Sequence, residues 1–170
     1  MKLLITTQAV DTNDPALGFF VRWIEEFAKH CKDIEVICLS EGAHALPQNV
    51  RVYSLGKESG KSKIKYIWRF YKYIWKLRKN YNSVFVHMNK EYVILGGKLW
   101  KLWGKKIFFW YNHPMGNIWA RLAITLTHTV FYTSPYAFAA KYKKARQMPV
   151  GIDTEKFRKL EIKKLRNSIL

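Results

Sequence analysis

Residues 83–111 read SVFVHMNKEYVILGGKLWKLWGKKIFFWY, and this stretch decides the fold. Its first six residues form an apolar, β-branched run that predicts a buried strand. Residues 92–103 place apolar side chains at helical spacing and stop before Gly104, a natural helix C-cap. Residues 107–111 are again short, apolar and aromatic, as a strand requires. A strand, a helix and a second strand so closely spaced form a crossover unit, which joins parallel strands. The same alternation extends both ways. Strands are predicted over 2–7, 34–39 and 50–55 before it, and over 129–133 and 146–150 after it. Helices are predicted over 18–30, 63–80, 118–127 and 135–143. Buried parallel strands need cover on both faces. The expected fold is α/β, a Rossmann-like doubly wound parallel sheet with helices on both faces.

The composition fits one folded domain. Hydrophobic residues make up 49% and charged residues 25% of 170, and aromatics reach 16%. The charge is unusual: 30 Lys+Arg against 12 Asp+Glu give a formal net charge of +18. Such a surplus points to an anionic partner, whether lipid headgroups, nucleic acid or a phosphorylated substrate. Cys31 and Cys38 fall in a helix end and an apolar strand, so they read as core residues and not as a disulfide framework. The apolar run after Met1-Lys2 is too short for a signal peptide, and the longest apolar stretch, residues 118–132, is broken by Arg121 and His128. The expected location is the cytoplasm, peripheral on the inner face of a membrane.

In open parallel sheets, ligands collect at the carboxyl ends of the strands. Three loops there carry candidate residues. Residues 8–17 lead to Gly18 at a helix start, where free backbone N–H groups suit a phosphate; the glycine-rich dinucleotide fingerprint is missing, and Asp14-Pro15 also reads as plain helix-initiating chemistry. His113, flanked by Asn112 and by Pro114, follows a strand and is placed either to meet a ligand hydroxyl or to serve structure alone. Asn89 and Glu91 follow another strand; they are positioned to hold a polar acceptor, or Glu91 simply caps the next helix. Thr133 and Ser134 follow a further strand, with Ser134 as an expected N-cap and Pro135 in the first turn. The residues assemble no nucleophile–base triad, P-loop or metal-ligand cluster.

Residues 61–80, KSKIKYIWRFYKYIWKLRKN, contain no acidic residue. Lys61, Lys65, Arg69, Lys72, Lys76 and Lys79 step by three or four and share one helical face. Ile64, Ile67, Tyr71, Ile74 and Leu77 form another, with Trp68 and Trp75 at its border. Like charges at this spacing repel in water, which favours an anionic partner. Tyr and Trp suit a membrane interface, so this helix is expected to lie on an anionic leaflet. The alternative is a helix that packs one face on the sheet and solvates the other. Lys98, Lys101, Lys105 and Lys106, interleaved with Trp100 and Trp103, extend the same expected surface.

Residues 148–157, MPVGIDTEKF, closely match a segment that ends the N-terminal domain of family-4, group 1 glycosyltransferases of the GT-B fold. The opening strand with its loop to Gly18, Asn112-His113 and Thr133-Ser134 support the same resemblance. It implies an acceptor-binding domain over residues 1–157, with residues 158–170 as linker and start of a C-terminal donor-binding domain. The implied activity is retaining transfer of a sugar from a nucleotide sugar to a glycan or lipid-linked acceptor of the cell envelope, with no cofactor and no obligatory metal. Within that scheme His113 is catalytic and contacts the donor sugar. Gly18, Thr133 and Ser134 lie on the donor side, and Asn89, Glu91 and Asn112 on the acceptor side. The donor-phosphate cations belong to the second domain, which these residues do not include, so weak turnover by this chain alone is expected. The alternatives are a non-enzymatic membrane-associated partner subunit and, further off, a basic nucleic-acid-binding domain; no nucleic-acid motif is present, and no nucleic-acid partner is expected.

Overall fold

A computed structural model describes residues 1–60, 62–149 and 151. Strands β1 (Lys2–Val10), β2 (Asp33–Glu41), β3 (Val50–Ser54), β4 (Ser83–His87), β5 (Lys106–Trp110), β6 (Thr129–Tyr132) and β7 (Ala145–Gln147) form one seven-stranded sheet. Its order is β3-β2-β1-β4-β5-β6-β7, and each neighbouring pair is parallel. Helices α1 (Phe19–His30), α2 (Lys63–Lys76), α3 (Lys90–Leu102) and α4 (Ile118–Leu126) cover it. The expected doubly wound arrangement is present.

Two apolar layers flank the sheet. On one side Phe20, Val21 and Ile24 of α1 pack on Ile5, Ile34, Val36 and Phe85. On the other, Phe70 and Ile74 of α2, Val93 and Trp100 of α3, and Ala120 and Ile124 of α4 pack on Leu4, Val84, Val86 and Phe109. The three helices of this second layer are drawn together by small residues and one polar chain. A Cβ on Gly97 would lie 3.2 Å from Leu126, so α3 and α4 approach closely there. The fully buried Trp100 donates its indole N–H to the Tyr81 hydroxyl (3.1 Å), which donates to the Ile74 carbonyl (3.2 Å). Trp100 therefore belongs to the core and not to the basic aromatic surface expected of it. A buried indole keeps its partner this way because an unmade hydrogen bond in the interior is costly. Both cysteines are buried and free.

Sequence and structure part at residues 135–143. In place of a helix there is a turn: Ser134 Oγ accepts from the Tyr136 amide (3.2 Å), Ala137 is extended, and only a short 3₁₀ segment, Phe138–Lys141, follows. Ser134 is thus no helix N-cap. Phe138 explains the difference: its amide donates to the His113 carbonyl (2.9 Å), and its ring fills the space in front of Gly116. A tertiary anchor overrides a weak local helix preference. Strand β7 ends at Gln147, short of the expected 146–150, and Val150 lies outside the described residues. So do Lys61, most of the 148–157 segment, and residues 158–170.

His87 ends β4 in the core. It is 2% exposed, stacks on Phe20 with centroids 3.8 Å apart, and shares a 3.2 Å hydrogen bond between Nδ1 and Thr7 Oγ1. Burial disfavours the imidazolium and lowers its pKa to about 4. The unfolded chain therefore binds this proton more readily than the fold, and stability falls as pH drops from about 6.5 towards 4. The loss should be on the order of 3 kcal/mol, a sizeable part of a typical domain's margin. Urea midpoints measured at stepwise lower pH should fall through this window, and His87→Phe should flatten the part of the slope that precedes carboxylate titration.

Candidate functional site

The order of the sheet reverses between β1 and β4, which leaves a crevice at their carboxyl ends. Four segments line it. Gln8 comes from the carboxyl end of β1, Met88 to Glu91 from the β4–α3 junction, Tyr111 and His113 from beyond β5, and Met115 to Asn117 from the approach to α4. The crevice encloses about 580 Å³, within the roughly 300–1,000 Å³ range of small-molecule sites.

Each polar side chain is positioned by local structure. Met88 takes a left-handed conformation (φ 62°), uncommon for a side-chain-bearing residue, and so bends the chain out of β4 into α3. Asn89 is the N-cap of α3, yet its side chain makes no capping bond and lines the crevice. Glu91 lies in the first turn, pairs with Lys90 (3.2 Å) and lines the same space. His113 is exposed and held on one side only: Nδ1 lies 2.8 Å from the Met115 carbonyl and 3.0 Å from the Met115 amide. Nε2 is then the nitrogen a ligand can use. It accepts a hydrogen bond if Nδ1–H bonds the carbonyl, and donates one if Nδ1 accepts from the amide. Tyr111 braces the same loop, donating its hydroxyl to the Met115 carbonyl (3.2 Å). Asn89, Glu91 and His113 thus share one crevice.

The other expected residues stand differently. Asn112 Oδ1 accepts from the backbone amides of both Thr133 and Ser134, each at 3.0 Å, and so ties the ends of β5 and β6 together. Gly18 caps α1 and sits in a tight loop, where a Cβ would lie 2.7 Å from the Asp14 carbonyl and 2.8 Å from that of Thr12. Its own amide donates to Asp14 and that of Phe20 to Leu17, so part of the helix N-terminus is already satisfied. Gln8 was missed because the opening strand runs on to Val10, beyond the apolar run that marks it in the sequence. Asn117 was missed as well; its side chain accepts from the Ala120 amide and caps α4.

A second, apolar cleft of about 380 Å³ opens beside the first. It lies between α2 and α3, over Leu39 and Leu55, and is walled by Ile67 and Phe70 on one side and Ile94 and Leu95 on the other. Gln8, Asn89 and Glu91 line both spaces, so the two adjoin.

The outward surface of α2 is divided more finely than its sequence suggests. Phe70 and Ile74, with Leu77 just past the helix, are buried against the sheet, whereas Ile64 (80% exposed), Ile67 (43%), Trp68 (62%), Tyr71 and Trp75 (56%) face out. The expected single apolar face is therefore two. Beside the outer one run Lys65, Lys72, Lys76 and Lys79, all exposed. Lys72 sits over the Trp68 ring (5.1 Å) and Arg78 over that of Trp75 (4.6 Å), which joins the basic and aromatic stripes. Arg69 turns inward, towards the Leu55 carbonyl (3.4 Å). Trp103 packs edge-on against Trp75. Lys101 and Lys105 instead donate to backbone carbonyls of Thr125 and Tyr81. Among the described residues no helix is long and apolar enough to cross a membrane.

No protein-family profile and no curated protein sequence matches the chain. Solved structures do. MurG of Acinetobacter baumannii superimposes with a TM-score of 0.53 at 12% identity, over 86% of this chain and 44% of that one. UDP-GlcNAc 2-epimerase from Methanocaldococcus jannaschii gives 0.53 at 13% identity, over 80% and 40%. The chain thus spans less than half the length of either protein. At these identities the likeness carries the fold, Rossmann-like and of the GT-B half-molecule kind, and not membership of family 4.

Gly116 is the residue on which the geometry of the His113 loop turns, since a Cβ there would sit 2.3 Å from the Phe138 ring. Gly116→Ala should cost roughly 1–3 kcal/mol by overpacking. Urea denaturation reads the loss, and the His113 ring signals in an NMR spectrum should move with it.

Proposed function

We propose that the chain is the acceptor-binding half of a GT-B-type glycosyltransferase that works at a membrane surface. The observation that carries this reading is the crevice at the β1/β4 reversal, where Gln8, Asn89, Glu91 and His113 converge beside a helix with a basic and aromatic outer face. The similarity in fold to MurG and to UDP-GlcNAc 2-epimerase, the second of which is named for a UDP-sugar, supports sugar-nucleotide chemistry. In this reading the amide and carboxylate of Asn89 and Glu91 bind acceptor hydroxyls, and Nε2 of His113 hydrogen-bonds the sugar being transferred. Gly18, Thr133 and Ser134 face the donor side. A nucleotide sugar is the donor, transfer is retaining, and no cofactor or metal is required. Residues 1–157 form this half, and the phosphate-binding cations come from a C-terminal domain in cis or in trans. A preorganised charge partner for the leaving diphosphate is usually the largest single catalytic contribution. The isolated chain should therefore bind a nucleotide sugar weakly and turn over little; robust transfer by the purified chain would overturn the half-site reading.

The outer face of α2 is the membrane contact. Its exposed aromatics dip into the interface and its lysines meet anionic headgroups, each worth on the order of 1 kcal/mol near the surface. Co-sedimentation should show the chain on phosphatidylglycerol-containing vesicles, far less on pure phosphatidylcholine, and released by salt. A Lys65→Glu, Lys72→Glu, Lys76→Glu variant should lose about tenfold or more in vesicle affinity, which corresponds to roughly 1.4 kcal/mol or more. Indifference to vesicles with tight, salt-sensitive binding to duplex DNA would instead favour the nucleic-acid reading.

A further inference from the structure

The membrane face and the polar crevice are separate features of the surface, and the apolar cleft lies between them. We infer that this cleft holds the hydrocarbon chain of a lipid-phosphate acceptor, whose sugar-bearing head reaches the polar crevice; the inference rests on the membrane-surface reading above.

Three observations converge. The first is continuity. Ile67 is both a member of the exposed stripe on α2 and a wall of the cleft, so the cleft opens on the face assigned to the membrane. At its other end Gln8, Asn89 and Glu91 belong to cleft and crevice alike. A chain that enters at Ile67 leads directly to the polar groups.

The second is chemistry. Its apolar walls are Leu39, Leu55, Ile67, Phe70, Ile94 and Leu95, and the charged groups of its lining are Lys63 and Glu91. A flexible hydrocarbon satisfies such walls without leaving a polar atom unpaired, whereas a peptide backbone would bring N–H and C=O groups that find no partners there. Each buried methylene of the chain contributes about 0.8 kcal/mol. Lys63 lies at the cleft and Lys90 at the crevice, placed for a phosphate that joins chain to head.

The third is charge. A second copy of this chain would bring another formal +18 against the lysines of α2, so self-association through this face is opposed. An anionic lipid is favoured by the same charge. The spacing of the two helices is fixed: the Tyr71 hydroxyl donates to the Leu95 carbonyl (3.1 Å), and Phe70 packs on Tyr92 and Trp75 on Trp103, so α2 and α3 are held beside the cleft.

The test uses phosphatidylglycerol–phosphatidylcholine vesicles doped with geranylgeranyl phosphate that carries a diazirine near the end of its chain. After irradiation, mass spectrometry should place the label on peptides that contain Leu39, Leu55 or Leu95. Leu95→Trp, which fills the cleft, should cut that labelling by about fivefold or more while vesicle co-sedimentation stays within about twofold of wild type. Ile94→Trp is the second filling variant, and circular dichroism checks that both fold; the wild-type label map depends on neither. If the chain binds vesicles but the label falls on the Trp68 and Trp75 face alone, the cleft assignment fails while the membrane reading stands. Equal cleft labelling by a diazirine-bearing phosphatidylglycerol also overturns it, because bulk lipid would then occupy the cleft. Failure to bind vesicles at all overturns the membrane reading, and this inference with it.

Discussion

Strand order reverses between β1 and β4, and most of the site follows from that one topological constraint. With β1 central, the chain winds outward through β2 and β3, and must then cross back to begin β4 on the other side. The crossing is α2, which sits at the mouth of the gap that its own connection creates. The crevice, the cleft beside it and the basic helix over both are therefore products of one return of the chain. A sheet wound in a single direction would leave no such opening at the ends of its strands.

α2 has to satisfy two demands with fourteen residues. One face must cover the apolar surface of β1, β2 and β4, and Phe70 and Ile74 do this. Its remaining surface is then expected to be polar, but Ile64, Trp68 and Trp75 stand in water beside the lysines. Exposed apolar surface costs about 25 cal/mol per Å² while it remains wet, and a contiguous patch of this kind on a monomer commonly marks a contact surface. The neighbouring lysines restrict which contact it can be. They repel one another along the helix and repel any basic partner; on the proposed membrane reading, an anionic, interfacial surface relieves both penalties.

The fold was readable because its signals are redundant. Buried parallel strands appear as short apolar runs such as 83–87, the helices between them keep a clear period, and glycine marks the ends. Of the crevice, the parts that lie just after strands were readable: Asn89, Glu91 and His113 were picked out by position and line it. What escaped depends on long-range contacts. Ser134 reads as a helix cap until Phe138 is seen to be anchored behind Gly116, some twenty residues back in the chain. Trp100 reads as surface beside its lysines, but its period within α3 points it at Tyr81. Gln8 was not singled out because the apolar run ends at Thr7 and leaves it as one more residue of the following loop, whereas β1 runs on to Val10.

Asn112 shows how a site residue and a structural residue can be confused, and how geometry separates their contributions. Its carboxamide oxygen is fully engaged by two backbone amides, those of Thr133 and Ser134. It therefore fixes the spacing between the β5 and β6 loops, and through the Phe138 amide that second loop in turn holds the His113 carbonyl. His113 is positioned from both directions, by Met115 on its own loop and by Phe138 across the neighbouring one, while its second ring nitrogen is left to the crevice. A ligand-binding histidine on an exposed loop would otherwise lose side-chain and backbone entropy on each binding event. Here that cost is largely met in the folding of the loop, which is what preorganisation would require of His113 in the role proposed for it.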